Sequence, residues 1–147
     1  MYYLAYGSNM LKAQMKNRCP HAKAVGIGML KDYTLVFRTH ATIEKSKGSK
    51  VPFVIWDISE SDEHRLDRYE GFPKYYIKEN FDVTMTNLEG KKPKKITAMA
   101  YVMVKGQEKA APSMSYYGII SEGYRDFGFD EMSLLEAMAD CLIRRKS

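Results

Sequence analysis

The sequence is poor in the residues that build the commonest reactive centres. Its two cysteines, Cys19 and Cys141, stand far apart, so there is no C-x-x-C spacing to hold zinc or to run thiol–disulfide exchange. The three histidines, His21, His40 and His64, are scattered and show no metal-ligand interval. There is no Gly-x-Gly-x-x-Gly, no P-loop and no nucleophile elbow around Ser8. Dinucleotide binding, nucleotide hydrolysis and serine-nucleophile hydrolysis therefore lack support. No apolar run approaches the roughly 18 residues needed to cross a membrane. The opening Met1–Tyr6 has no basic leader, and it is expected not to be a signal peptide. A cytoplasmic location with free thiols in a reducing compartment is the simplest expectation.

What is present suits one globular domain over residues 1–147, with 45% hydrophobic and 28% charged residues and no repeat, low-complexity tract or linker. The formal charge is +5. The lysines fall largely in two short stretches, Lys45–Lys50 and Lys91–Lys95, each with Gly or Pro and each between apolar runs. They read as solvated hairpin tips rather than as a nucleic-acid stripe. Tyrosine is abundant at eleven residues. Its apolar body and polar tip suit either core filling or a pocket for a polar small molecule.

Along the chain, Tyr2–Tyr6 reads as a short buried strand stopped by Gly7, with Ser8 or Asn9 capping a helix over Met10–Asn17. Strands are expected at 22–39, 51–58, 75–86 and 96–105. Gly26, Gly28 and Lys31-Asp32 mark a bend in the first of these, and Pro52 marks the start or an edge of the second. A helix over Ser59–Tyr69 begins with a capping-box-like Ser59/Asp62 pair and ends at Gly71 and Pro73. The last third is helical. Met114, Tyr117, Ile120 and Tyr124 share one face of its first helix. Asp130 caps the second, whose stripe is Leu134, Leu135, Met138, Cys141 and Leu142. The fold class is α+β, a mixed and curled sheet with helices around it.

Three segments can carry chemistry. In Tyr6-Gly7-Ser8-Asn9 a strand halts at glycine and restarts as a helix, which gathers backbone N–H groups beside two polar side chains. Such a junction suits a carboxylate or an oxyanion, and a plain strand–turn–helix connection has the same pattern. Glu70 ends a helix, where a negative charge opposes the dipole. Local stability does not call for it, so it is either functional or a tolerated exposed acid. In Pro112-Ser113-Met114-Ser115-Tyr116, Tyr116 falls in the first turn of a helix and faces either a pocket or the core.

Together these segments resemble the γ-glutamylcyclotransferase family, also described as AIG2-like. Tyr3–Met10 is similar to the family's opening motif, with Met10 where Leu is usual. Arg18 with Pro20, and the run through Gly28, Leu30, Tyr33 and Phe37, resemble its second block. Trp56–Gly71 resembles the block that delivers the catalytic acid, followed by Tyr75-Tyr76, and Pro112–Gly123 resembles the closing block. The resemblance implies a small mixed β-barrel of about five to six strands with flanking helices, and often a homodimer. It implies a cavity formed by Tyr6, Gly7, Ser8, Asn9 and Met10 and closed by Glu70, Tyr76 and Tyr116, with Glu70 as the proton-handling residue. The implied activity is cyclisation of a γ-glutamyl amide to 5-oxoproline with release of an amine. No metal or organic cofactor and no nucleic-acid or membrane partner is implied. The same cavity in a non-catalytic protein for a small anionic ligand is the alternative.

Overall fold

The computed structural model describes residues 1–146. A short strand β1 (Tyr2–Ala5) leads through a 3₁₀ turn, Ser8–Met10, into helix α1 (Lys12–Arg18). A long hairpin of β2 (Lys23–Arg38) and β3 (His40–Asp57) follows, then α2 (Glu60–Glu70), the hairpin β4 (Tyr76–Met85) and β5 (Lys94–Met103), and two closing helices, α3 (Met114–Asp126) and α4 (Met132–Lys146). The sheet order is β2-β3-β1-β5-β4. β1 lies antiparallel to β3 and parallel to β5. No helix among the described residues is long and apolar enough to cross a membrane.

The sheet curls but does not close into a barrel through a full ladder. Among the described residues, its edge strands β2 and β4 form no ladder and are bridged by backbone where Ile27 and Thr86 exchange hydrogen bonds of 3.1 and 2.9 Å. Gly26 and Gly28 make that approach possible. A Cβ on Gly28 would lie 2.5 Å from the Phe53 ring and 2.8 Å from the Thr84 carbonyl oxygen, and one on Gly26 would lie 2.6 Å from the Thr86 carbonyl oxygen. These glycines therefore mark a close contact between strands, and the irregularity expected in this stretch falls at two register shifts, between Ala24 and Gly26 and between Lys31 and Tyr33.

The long hairpin departs from expectation in a second way. The turn sits at Thr39, with Arg38 facing His40, and β3 begins eleven residues before Val51. The stretch Lys45–Lys50 is not a hairpin tip but lies within β3. Residues 46–49 bulge opposite Asp32, whose carboxylate accepts from the Gly48 amide at 3.0 Å. An internal bulge uses the same Gly/Ser/Lys chemistry as a turn, so composition does not separate the two. Pro52 likewise lies inside this strand, opposite Met29. The Lys91–Lys95 stretch does join β4 to β5.

One hydrophobic core fills the curl. Leu4, Met10, Met15, Phe37, Phe53, Ile55, Leu66, Ile120, Tyr124 and Leu134 are completely or almost completely buried, each worth about 1.5–3 kcal/mol for its side chain. α4 packs on β2, and α3 packs on the Ser8–Met10 turn. The buried seam of α4 is Leu134, Ala137 and Cys141, with Leu135 and Leu142 facing outward. On α3, Ile120, Gly123 and Tyr124 are buried while Met114 is exposed. Asp130 caps α4 through the Met132 amide at 2.7 Å, as its position suggested.

Candidate active site

The loop between β1 and α1 is held from several sides. The Asn9 side-chain amide donates to the Tyr3 hydroxyl at 2.9 Å, and the Asn9 carbonyl accepts from the Trp56 indole at 2.9 Å. Arg18 donates to Asn9 Oδ1 and, at 3.4 Å, to Ser8 Oγ. Ser8 and Asn9 are buried and spend their side chains on these contacts, so neither caps α1. That helix starts at Lys12, whose amide donates to the Asp126 carboxylate on α3 at 3.1 Å. Gly7 has a φ of −124°, so left-handed backbone is not the reason for a glycine here. A Cβ here would stand 3.5 Å from the Ala41 Cβ and 3.8 Å from the Tyr116 hydroxyl.

Glu70 is delivered by the end of α2. The helix is fixed at its start by a reciprocal capping box between Ser59 and Asp62. One turn before Glu70, the Asp67 carboxylate accepts from the Tyr101 hydroxyl at 2.6 Å and pairs with Lys78 at 2.9 Å. The helix stops at Gly71, which has φ 67° and whose Cβ would lie 2.5 Å from the Tyr75 ring. Only glycine meets both demands cheaply. Tyr101 also ties the helix to the loop, because its carbonyl accepts from the Tyr6 hydroxyl.

Four tyrosine hydroxyls surround this point, and their bonds differ in direction. Tyr6 and Tyr76 spend their protons on the carbonyls of Tyr101 and Ala41, the latter at 2.8 Å. Tyr3 and Tyr116 accept instead, from Asn9 and from the Ala41 amide at 3.1 Å. They keep a proton to donate. Burial raises all four above the ordinary tyrosine value, Tyr116 to about 12. All four therefore remain neutral near pH 7.

Two connected cavities result. An inner one of about 30 Å³ is lined by Tyr3, Tyr6, Gly7, Ser8, Asn9, Ala41, Glu70, Tyr76, Tyr101 and Tyr116. It has room for about one water-sized polar group. An outer cleft of about 600 Å³ adds Arg38, His40, Arg68, Tyr69, Tyr75 and Gln107, a size that suits a small-molecule ligand. Ser8, Glu70, Tyr76 and Tyr116 line both. The Glu70 carboxylate makes no hydrogen bond or ion pair among the described residues. Burial raises its pKa to about 7, against a smaller opposing pull from Arg18. It is thus a carboxyl poised between its acid and base forms at neutral pH.

Of the residues singled out from the sequence, Tyr6, Gly7, Ser8, Asn9, Glu70, Tyr76 and Tyr116 meet here. Met10 does not. Its side chain is fully buried in the core, its Cβ packs on Gly123 of α3, and its amide is committed to the Gly7 carbonyl at 3.1 Å. Sequence reasoning missed Tyr3, Tyr101, Ala41 and the whole outer wall of Arg38, His40 and Arg68.

Comparison with known proteins shows relatives along most of the chain. A family model described as gamma-glutamyl cyclotransferase, AIG2-like, matches residues 3–122. The gamma-glutamylcyclotransferase of Homo sapiens is 33% identical over 140 residues, covering 86% of this chain and 71% of that protein. The Mus musculus protein of the same name is 32% identical, covering 88% and 72%. A solved gamma-glutamyl cyclotransferase superposes with a TM-score of 0.76 at 30% identity, over 95% of this chain and 86% of the other. YkqA from Bacillus subtilis shares the fold at a TM-score of 0.72 and 22% identity, over 96% of this chain and 54% of the other. Matches of this length and identity establish kinship as well as shape, and the chain belongs to the gamma-glutamyl cyclotransferase, AIG2-like family of enzymes.

Proposed function

We propose that this protein cyclises a γ-glutamyl amide to 5-oxoproline with release of the amine, and that Glu70 moves the protons. The observation that carries the reading is the place of Glu70, an unpartnered carboxyl with a pKa of about 7 at the junction of a small inner pocket and a larger outer cleft. The glutamyl chain lies at the mouth of the inner pocket with one oxygen reaching into it, and the leaving amine lies in the outer cleft. The scissile amide then crosses the junction beside Glu70.

In the reaction the substrate's own α-amine attacks its γ-carbonyl carbon. A new C–N bond closes the five-membered lactam and the original amide C–N bond breaks. Glu70 takes a proton from the α-ammonium group and returns it to the departing nitrogen. The second proton, shed by the attacking nitrogen as the lactam forms, follows the same path, so the amine leaves as an ammonium ion and Glu70 ends in its starting state. Folding the glutamyl chain for intramolecular attack supplies on the order of 7–11 kcal/mol. A carboxyl whose pKa matches the working pH adds about 10²–10⁴-fold. The amides of Gly7, Ser8 and Asn9 have no protein acceptor among the described residues and face the carbonyl oxygen or α-carboxylate, while that of Met10 is already used. Donors of this kind are worth roughly 10²–10³ in rate. Tyr3 and Tyr116 donate to the substrate, and Tyr6 and Tyr76 offer only lone pairs, which suit an ammonium group.

The leaving amine is an α-amino acid. Around the outer cleft Arg38 is neutralised by Glu44 at 2.6 Å, whereas Arg68 makes no ion pair among the described residues, and His40 stands beside Tyr116 at 5.1 Å. Glu70 is the only carboxylate among the lining residues. A leaving group that carries a carboxylate is therefore favoured over a polyamine. Incubation with a panel of γ-glutamyl amino acids and γ-glutamyl polyamines, with 5-oxoproline read by mass spectrometry, tests both statements. The expected kcat/KM favours the amino acids by at least about tenfold, about 1.4 kcal/mol. Stoichiometric retention of unchanged ligand without 5-oxoproline would make the protein a binder.

Gly7→Ala isolates the cradle. The added methyl meets Ala41 at 3.5 Å and the Tyr116 hydroxyl at 3.8 Å, ordinary contact distances. The thermal midpoint is expected to stay within about 3 °C of the parent, about the effect of 1 kcal/mol in a chain of this size. KM should rise about tenfold as the methyl occupies ligand space. An unchanged KM would remove Gly7 from the cradle.

A further inference from the structure

We propose that Arg18 is a positioning residue that clamps the Tyr6–Asn9 loop to the end of α2 and sets a positive charge beside Glu70. The proposal rests on the cyclotransferase reading for its kinetic arm only. Arg18 is the last residue of α1 and lines neither cavity, so it does not reach the substrate. Its guanidinium instead joins two pieces of the site. One face lies over the Tyr69 ring at 3.2 Å from the centroid, and Tyr69 directly precedes Glu70. Its NH1 group donates to Ser8 Oγ at 3.4 Å and to Asn9 Oδ1.

A planar guanidinium is suited to this task because it can stack on a ring and donate in its own plane at the same time. Burial opposes its charge, and the carboxyl of Glu70 supports it. The titratable groups that face Glu70 are Tyr3 from β1, Tyr6 from the loop, Tyr76 from β4, Tyr116 from α3 and Arg18 from α1, while Arg68 of its own helix and His40 of β3 line the outer cleft with it. The tyrosines are neutral at neutral pH and Arg68 is exposed to solvent, so Arg18 is the half-buried charge of the set. It limits how far burial can raise the carboxyl and keeps part of Glu70 ionised and ready to accept a proton.

The test compares Arg18→Met and Arg18→Lys with the parent in the full chain. Activity is followed as 5-oxoproline release from pH 5.5 to 9. The Glu70 carboxyl is titrated directly by carbon NMR of labelled glutamate, assigned with Glu70→Gln. In Arg18→Met the acid limb and the NMR midpoint are expected to move up by about one pH unit or more, as loss of an adjacent opposite charge requires. The plateau kcat should fall at least tenfold. Arg18→Lys keeps the charge but not the plane, so its midpoint should stay within about half a unit of the parent while kcat still falls. A merely structural arginine would lower the melting temperature and leave both midpoints in place, which overturns the proposal. If Arg18→Met does not fold, Arg18→Lys decides, and a parent-like plateau kcat then sinks the clamp. If the parent makes no 5-oxoproline, the cyclotransferase reading fails, and the NMR midpoints still judge the placement of Arg18.

Discussion

Glu70→Gln is expected to turn over γ-glutamyl substrate at no more than about one hundredth of the parent rate, the low end of what general acid–base catalysis contributes. Glutamine keeps the shape of the side chain and removes only its proton exchange. The carboxyl has no partner among the described residues, so its replacement strands no protein donor. Steady-state release of 5-oxoproline measures the loss, and a variant within tenfold of the parent would take the proton-transfer role away from Glu70. The parent's rate should rise with pH through a midpoint near 7, because the ionised carboxylate accepts the proton and its pKa is raised to about that value. This limb should be absent from whatever activity the variant retains.

The same substitution is expected to stabilise the protein, with a definite pH dependence. The folded carboxyl has its pKa raised from 4.5 to about 7, so between those values the folded state holds a proton that the unfolded chain has released. Stability therefore falls as pH rises through this window. The cost is absent below about pH 4.5 and fully present above about pH 7. A shift of this size corresponds to on the order of 3 kcal/mol at about 1.4 kcal/mol per pH unit. Chemical denaturation of parent and Glu70→Gln should give similar stabilities near pH 4.5 and a more stable variant at pH 8. A gap that does not change with pH would mean that the carboxyl is not held out of water as described.

The sequence already contained the pieces of the site that announce themselves locally. A glutamate at the negative end of a helix goes against local preference, a strand that stops at Gly-Ser-Asn gathers amides and polar side chains, and both face the same cavity. Met10 was included because it adjoins that motif. The 3₁₀ turn rotates its side chain away, and it fills the space opened by the absence of a side chain on Gly123. The role of Arg18, and Tyr101 altogether, were illegible for a different reason. Their work lies in contacts to Asn9, Tyr69, Asp67 and Tyr6 from other elements, and no periodicity encodes those partners. The first half of β3 was hidden by its bulge, whose exposed Ser, Gly and Lys mimic a turn. That omission concealed His40 and Ala41, the wall to which Tyr76 and Tyr116 are bonded. The curled sheet was expected, yet its glycines were assigned to a bend because a contact with Thr84 and Thr86, more than fifty residues away, leaves no trace in local composition.

Gly28→Ala tests that contact and is expected to be among the most destabilising single-methyl additions in the chain. The new Cβ would stand 2.5 Å from the Phe53 ring and 2.8 Å from the Thr84 backbone oxygen. Phe53 is completely buried in the core, so its ring cannot turn out into solvent. The Thr84 carbonyl belongs to β4 and can retreat only if the strand retreats with it. The lowest-cost response is separation of β2 from β4, which breaks the paired hydrogen bonds between Ile27 and Thr86 and opens one side of the core. Overpacking of this kind costs about 1–3 kcal/mol, and each lost backbone bond adds about 1 kcal/mol. The sum is about 3–5 kcal/mol, or a fall of roughly 6–20 °C in the thermal midpoint of a chain of this size. Gly48→Ala provides the contrast. Its φ of 85° carries strain, but nothing lies within 4 Å of its Cβ, so its cost should stay near 1 kcal/mol. Thermal and denaturant unfolding of the two variants measures the difference. Equal losses would show that the edges of the sheet do not need to touch, and that the curl around the active site is held by the helices alone.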